Sequence, residues 1–275
     1  MSFVCYNGEM LPAEEPLFSA ANRSFRYGDG LFETIKVVDK ELQLSNLHFD
    51  RLFTGLQLLQ IKPGPHFTPT ILAQNILELC AKNKTEALAR VRLAVFRSFN
   101  GDADYVIESF PLAPEAMQWN QKGWQLVLYP AARKSCDAFA NLKSANYLPY
   151  VLAQLYATEK GADEALVLNA YNNIADGSKT NLFLVKNKAL YTPALHQGCV
   201  NGVMRQNLLA ALKEEGYEIH QTEMGHQNLL EADEVFCTNA IQGIRWVKGY
   251  DGKNYHHTFT EQIFQKVLVP QGYRL

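Results

Sequence analysis

No sulfur pattern in this chain can hold a metal or staple a fold. Its five cysteines (Cys5, Cys80, Cys136, Cys199 and Cys237) are odd in number and scattered, and none forms a C-x-x-C pair. That leaves no zinc site and no disulfide framework, and a reducing cytoplasm is the natural compartment. His256-His257 has no partners at metal-ligand spacing. No apolar run approaches the roughly 18 residues of a membrane span, and Met1-Ser2-Phe3-Val4-Cys5 carries no secretory pattern. Positive charge is not in excess: 26 Lys and Arg face 28 Asp and Glu, for a net charge of -2 and a pI of about 6.4. The electrostatic footprint of a nucleic-acid partner is therefore missing. Neither a Walker A run nor a G-x-G-x-x-G occurs, which argues against a nucleoside triphosphate or a dinucleotide. Internal repeats and low-complexity segments are absent too.

What remains is an ordinary globular composition, 275 residues of which 47% are hydrophobic. That is ample for a core in one large or two smaller domains. Alternating runs predict strands at 3–6, 31–38, 90–96, 105–110, 124–129, 164–168, 181–185, 189–192, 218–220 and 234–238. Apolar residues at three- and four-residue steps predict helices from Ser45 or Asn46 onward, over 70–82, 150–157, 202–215 and 260–267. Strands and helices are interspersed without a regular βαβ alternation, so the fold class is α+β. Pro111 to Gly123 holds two prolines and little apolar periodicity. It reads as a linker between a domain spanning 1–115 and one spanning 116–275.

Five stretches are suited to chemistry. Lys143 stands among apolar and small residues in Asn141-Leu142-Lys143-Ser144-Ala145-Asn146-Tyr147-Leu148. Packing by Leu142, Tyr147 and Leu148 partly desolvates it, which lowers an ammonium pKa and favours the neutral amine of Schiff-base chemistry. A lysine with its stem on apolar surface and its head in water is the plainer alternative. Val200-Asn201-Gly202-Val203-Met204-Arg205-Gln206 is a loop entering a helix, whose first-turn amides suit a phosphate. Thr238-Asn239-Ala240-Ile241-Gln242-Gly243 is a polar turn after a buried strand, and Arg51 is a bidentate clamp for an anion. Asp176 lies in the segment between two strands, where it either caps a turn or faces a protonated ring nitrogen. His48, beside Arg51, reads as a surface helix residue, and Glu33 and Thr34 as strand positions facing solvent or substrate.

In order and spacing, Arg51, Lys143, the Asp176 segment, Gly202-Val203-Met204-Arg205 and Thr238-Asn239-Ala240 resemble the class IV aminotransferase family. These are the fold-type IV enzymes that use pyridoxal 5'-phosphate. The likeness runs from Tyr27-Gly28-Asp29-Gly30-Leu31-Phe32-Glu33-Thr34 to Ile244-Arg245-Trp246-Val247. It implies a two-domain α+β fold like that of D-amino-acid aminotransferase. A small N-terminal domain and a larger C-terminal pseudo-barrel would hold the active site between them, in a homodimer. By the same resemblance Lys143 carries the cofactor and shuttles the proton. Arg51, the amides of Val203 and Met204, and the Asn239-Ala240 turn hold the phosphate. Tyr147 serves the phenolic oxygen, although its spacing from the lysine is one residue shorter than in the branched-chain enzymes. Asp176 takes the position of the family's glutamate, one methylene shorter. Met204 replaces the threonine whose hydroxyl the aminotransferases use.

Within the family, the Val200–Gln206 and Thr238–Gly243 stretches and Asp163-Glu164-Ala165-Leu166-Val167-Leu168 look most like aminodeoxychorismate lyase, an enzyme of folate biosynthesis. The D-amino-acid enzymes place a basic carboxylate trap after the strand of Arg97. Here that loop carries Asp102-Ala103-Asp104, which repels a carboxylate. Arg92 matches a substrate-side arginine of the branched-chain enzymes, with Glu33 nearby by resemblance. The expectation is a lyase acting on a small amino substrate. Amino-acid transamination is the alternative, and a weakly active cofactor-binding member is a further one that the shorter acid at 176 motivates.

Overall fold

A computed structural model describes residues 2–275. They group into two compact units: the residues up to Pro114 together with Leu142–Tyr147, and Glu115–Asn141 together with Leu148–Leu275. The lysine-bearing hexapeptide, which a boundary at 115/116 would assign to the second domain, therefore packs with the first unit. The cause is a short backbone pairing with the strand that opens at Gly30, described below.

The first unit begins with a hairpin, β1 (Phe3–Tyr6) and β2 (Glu9–Pro12), followed by the short α1 (Arg23–Tyr27). Next come β3 (Gly30–Val38), β4 (Glu41–Leu42), α2 (Ser45–Leu58) and α3 (Pro69–Lys82). The long strands β5 (Leu88–Arg97) and β6 (Ala103–Pro111) complete it. The sheet is antiparallel throughout, in the order β2-β1-β6-β5-β3-β4. One face packs on both helices: Leu31, Ile35, Val37, Val91 and Leu93 meet Phe49, Leu52, Leu56, Leu72, Ile76 and Leu79. Thr68 caps α3 by accepting from the Ile71 amide at 3.3 Å, with Pro69 preorganised at the first helical position. The start of α2 differs from expectation. Neither Ser45 nor Asn46 caps it; Leu44 occupies the cap in the left-handed region (φ 55°) without a side-chain bond.

The second unit comprises β7 (Trp124–Lys134), α4 (Leu148–Glu159), β8 (Glu164–Asn169), β9 (Ile174–Gly177), β10 (Asn181–Lys186) and β11 (Ala189–Pro193). There follow α5 (Val203–Glu214), β12 (Ile219–Thr222), α6 (His226–Glu231), β13 (Glu234–Asn239), β14 (Gly243–Tyr250), β15 (Lys253–Asn254) and α7 (Thr258–Ile263). The main sheet runs β12-β11-β10-β13-β14-β7-β8-β9, with β15 paired to β14. It is mixed: β7 is parallel to both neighbours and β11 to β12, while the other pairs are antiparallel. The terminal strand β9 is joined to the interior strand β10 by only residues 178–180. The Gly177 amide also donates to Thr180 O at 2.8 Å. The sheet must therefore curl back on itself, which gives the pseudo-barrel character within this unit.

Two expectations change here. Asp176 lies in strand β9 and is buried, not in a turn, because Ile174-Ala175-Asp176-Gly177 pairs with β8. The 111–123 stretch is partly ordered by the C-terminus: Trp119 N donates to Arg274 O at 2.8 Å and Arg274 N to Met117 O at 2.7 Å. Among the described residues no helix is long and apolar enough to cross a membrane, and no cluster of His, Cys, Asp or Glu is suited to a metal.

Candidate active site

In the first unit, strand alternation drives a carboxylate inward. Glu33 shares the parity of Leu31, Ile35 and Val37, so it points to the helix-covered face of β3 and is only 1% exposed. Helix α2 answers with His48 and Arg51, three residues apart and so on one side of the helix. Arg51 Nε donates to Glu33 Oε1 at 2.8 Å, and Arg51 Nη2 donates to Oε2. His48 Nδ1 lies 2.7 Å from Glu33 Oε2. Burial alone would push the Glu33 carboxyl up, but the Arg51 charge and the His48 hydrogen bond outweigh it and hold the group down at about 2. Burial pushes the His48 imidazole down, and the charges of Arg51 and Lys143 add to that against the pull of Glu33. With Glu33 ionised, Nδ1–H is the donor, and the buried Nε2 has no hydrogen-bond partner. Sequence reading missed this cluster. His48, expected on the surface, is buried, and Glu33 faces the core rather than solvent.

Lys143 is fixed by its own backbone. The Phe32 amide donates to Lys143 O at 2.9 Å, the Ala145 amide donates to Gly30 O at 2.9 Å, and Leu31 bridges Ser144. Glycine is required at position 30, since a Cβ there would stand 2.4 Å from Val95 O. Lys143 Nζ lies 4.4 Å from the centroid of the Phe32 ring and 5.4 Å from that of Tyr147. The two rings meet edge to face at 5.2 Å. Leu142 is buried in the helix–sheet core. Leu148, expected to pack on the lysine, is exposed. Arg92 stands over the same Phe32 ring at 4.9 Å and 3.7 Å from Glu108. Lys143, Tyr147, Arg92, Glu33 and Arg51 thus all belong to the β3 neighbourhood.

In the second unit the centre is Asp176, buried in β9. Its Oδ2 accepts from Lys134 Nζ at 3.1 Å, the Tyr150 hydroxyl at 2.8 Å and the Val200 amide at 3.0 Å. Its Oδ1 accepts from Asn181 Nδ2 at 2.9 Å. The turn that returns the chain from β9 to β10 is built on a second buried acid, Glu164. Glu164 accepts from Ser178 N at 2.8 Å, Thr180 Oγ1 at 2.9 Å and the Ser178 hydroxyl. Glu164, Lys134, Tyr150 and Asn181 escaped the sequence reading. The available signal was a carboxylate opening the buried run Glu164-Ala165-Leu166-Val167-Leu168, where an unpaired charge is untenable.

Asn181 ties this acid to both anion-suited stretches of the unit. Its Nδ2 also donates to Val200 O at 2.8 Å, and its strand position pairs with Thr238. Its Oδ1 lies against Gly202, where a Cβ would come within 1.8 Å of it. Gly202 is the N-cap residue of α5, so the amides of Val203 and Met204 begin a helix whose first turn has no preceding carbonyls to bond. The loop before it is anchored by Asn141, whose Nδ2 donates to Leu195 O at 2.8 Å and Cys199 O at 2.6 Å. Arg205 holds the other side, donating through Nη2 to Pro193 O at 2.9 Å and Gln221 Oε1 at 2.8 Å. In the turn after β13, Asn239 Oδ1 accepts from the amides of Ile241 at 3.0 Å and Gln242 at 2.8 Å. Just before it, the buried Thr238 hydroxyl has no hydrogen-bond partner, as a group awaiting an acceptor would have none.

Within the second unit, a buried acid, a fresh helix N-terminus and a partnerless buried hydroxyl suit a phosphorylated ligand with a basic ring. Likeness to known proteins gives the class, a pyridoxal phosphate enzyme. The model of the class IV amino-transferase family matches residues 30–250, and the chain belongs to that family. Aminodeoxychorismate lyase of Vibrio harveyi is 30% identical over 239 residues, covering 83% of this chain and 85% of that protein. A putative branched-chain-amino-acid aminotransferase of Methanocaldococcus jannaschii is 28% identical over 271 residues, covering 95% and 92%. Among solved structures, the branched-chain aminotransferase of Escherichia coli superposes with a TM-score of 0.85 at 23% identity, covering 96% of this chain and 92% of that one. The PLP-bound form of a hypothetical aminotransferase from Mycobacterium tuberculosis gives 0.82 at 18% identity, covering 98% and 100%. These likenesses establish the two-domain α+β fold of the family.

Proposed function

We propose that the chain is a 4-amino-4-deoxychorismate lyase, releasing pyruvate and leaving 4-aminobenzoate. The observation that carries this choice within the family is the state of Arg97 at the end of β5. Its Nε and Nη2 donate to the two oxygens of Asp29 at 2.9 and 3.2 Å. Its Nη1 and Nη2 donate to the carbonyls of Gln60 at 2.9 Å and Leu59 at 2.7 Å. A guanidinium so engaged has little left for gripping an amino-acid carboxylate. The loop beyond it ends on Asp102, and Asp104 follows in β6, accepting from Asn7 Nδ2 at 2.9 Å. This argues against D-amino-acid transamination, and the likeness to the Vibrio lyase favours the lyase among the remaining readings.

When bound, pyridoxal phosphate supplies an electron-withdrawing ring that takes up negative charge developing next to the substrate amine. The chain supplies the rest. Lys143 Nζ would hold the cofactor at its aldehyde and would move the proton from the ring carbon that bears the substrate amine. Phe32 and Tyr147 flank that nitrogen and keep water from it. Arg51, oriented by Glu33, and the first-turn amides of Val203 and Met204 with the Asn239-Ala240 turn hold the phosphate. Asp176 would serve the ring nitrogen and Tyr147 the phenolic oxygen, and Arg92, over the Phe32 ring, would lie on the substrate side, whereas Glu33, buried under α2, orients Arg51 and does not face substrate. The same reading makes the protein a cytoplasmic homodimer. The exposed apolar side of α4, with Leu148, Val151, Leu152 and Leu155 at helical spacing, is a surface that a second copy would cover.

A branched-chain aminotransferase is the second reading, favoured by the likeness to the Methanocaldococcus protein and by the position of Arg92 over Phe32. One assay separates the two. Purified protein supplied with the cofactor and 4-amino-4-deoxychorismate is followed for pyruvate and 4-aminobenzoate, beside a panel of L- and D-amino acids with 2-oxoglutarate. Pyruvate release without amine transfer supports the lyase. Glutamate formation without pyruvate release overturns it.

A further inference from the structure

The pairing of Asp176 with Lys134 is not required by the reading above, and it alters what that reading can do. Three neutral donors, Tyr150, Asn181 and the Val200 amide, already satisfy the buried carboxylate. A fourth partner, the Lys134 ammonium, brings a full positive charge 3.1 Å from Oδ2. Its side chain is 10% exposed, and its Nζ stands 5.3 Å from the centroid of the Tyr150 ring, whose hydroxyl donates to the same oxygen. Pairs this sheltered are weakly screened.

The backbone is built to deliver this lysine. Tyr129 pairs with Val167, but Arg133 pairs with Leu168, so Pro130, Ala131 and Ala132 are extra residues on β7. Such irregularities re-aim a side chain. Arg133 closes this one by donating through Nη1 to Pro130 O at 2.8 Å and Ala132 O at 3.1 Å, and through Nε to Asn172 Oδ1 at 2.9 Å. Lys134, the next residue, is set in register with Asn169, on the strand that also pairs Val167 with Asp176.

From this we infer that Lys134 is a positioning and specificity-determining residue. By neutralising Asp176, it keeps the nitrogen of a bound pyridine ring largely unprotonated. The inference rests on the proposed placement of the ring nitrogen at Asp176. A lone carboxylate stabilises a ring proton, whereas a carboxylate already paired to an ammonium does so far less, because the two cations repel. Oδ2 accepts three hydrogen bonds and Oδ1 one, so only Oδ1 keeps a lone pair for a newcomer. A ring without its proton is a weaker electron sink. That is tolerable where loss of pyruvate is driven by aromatisation of the product, and unfavourable for amine transfer, which has no such drive. Lys134 thus biases the site toward elimination.

The test uses full-length protein loaded with pyridoxal phosphate labelled with nitrogen-15 in the ring, read by the ring-nitrogen chemical shift. In the wild type the signal should lie toward the unprotonated pyridine position. Lys134→Met should move it upfield, toward the pyridinium position, and Lys134→Arg should restore the wild-type value. A second readout is the single-turnover transfer of an amine from alanine to the cofactor, which should rise several-fold in Lys134→Met. If that variant does not fold, Lys134→Gln takes its place, with Lys134→Arg still the charge-keeping control. A wild-type signal already at the pyridinium position overturns the inference. So does a shift that responds to Asp176→Asn but not to loss of the Lys134 charge, which leaves the placement of the ring intact. A shift indifferent to both substitutions overturns the inference together with the placement on which it rests.

Discussion

The Arg51 guanidinium grips the Glu33 carboxylate through two N–H groups, Nε to Oε1 at 2.8 Å and Nη2 to Oε2, and His48 closes the same carboxylate from behind at 2.7 Å. A bidentate pair fixes the plane of an arginine as well as its position. Helix α2 therefore presents Arg51 already oriented by a strand of the same unit, before any ligand arrives.

That pairing has a pH signature. Glu33 is held at about 2 in the folded protein against an ordinary 4.5. A carboxyl depressed on folding contributes stability that is fully present above its unfolded value and is lost as pH falls through its folded value. The contribution is on the order of 3 kcal/mol. Urea midpoints should show wild type well above Glu33→Gln at pH 7, with the gap closing between pH 4.5 and 2. A gap that stays constant across that window would remove the ionised pair from the argument.

His48 gives a second limb at higher pH. Its folded pKa is lowered below 6.5, burial first and the Arg51 and Lys143 charges after it. The folded state then binds fewer protons than the unfolded chain just below that value, so stability drops as pH falls from 6.5. His48→Gln keeps a donor for Glu33 and cannot titrate. Thermal midpoints of this variant should be flatter than wild type between pH 7 and 5.

Lys143→Ala should abolish pyruvate release and the near-visible absorption band that pyridoxal phosphate acquires on the protein. Borohydride should fix the cofactor covalently to wild type and not to this variant. Retention of a borohydride-trapped label at another lysine would dispose of the role given to Lys143.

Asp176→Glu should raise turnover if the shorter acid limits the reaction, and Asp176→Ala should lower it strongly while also freeing Lys134. Equal rates in Asp176→Ala and wild type would mean that the acid has no part in the chemistry.

Gly202→Ala places a methyl group 1.8 Å from Asn181 Oδ1. Asn181 must move, and its bonds to Asp176 and Val200 O go with it. A destabilisation of about 1–3 kcal/mol is expected, with weakened cofactor affinity measured by fluorescence titration. Gly64→Ala, in open space, is the control and should change neither.

In the second unit, Gly202-Val203-Met204, Asn239-Ala240 and Asp176 could be singled out as candidates beforehand, because helix starts, polar turns and an acid beside apolar runs carry local composition signals, although Asp176 lies in a strand rather than in a turn. The partners of Asp176 could not. Lys134 reaches it only because three residues bulge out of β7, and Asn181 and Tyr150 come from other elements. The Glu33–His48–Arg51 cluster hides for a similar reason: strand parity alone does not say which face a helix will cover.

The sequence by itself determined the class of fold, the cofactor by resemblance, and the lysine on which the proposed reaction depends. These follow from composition, periodicity and short motifs, which act over a few residues. Tertiary structure decided which charges are paired: Glu33 with Arg51, Asp176 with Lys134, Arg97 with Asp29. Pairing is set by which strands are neighbours and how their registers slip. A buried charge must find a partner wherever the chain's path brings one, and that path is not written in any local stretch.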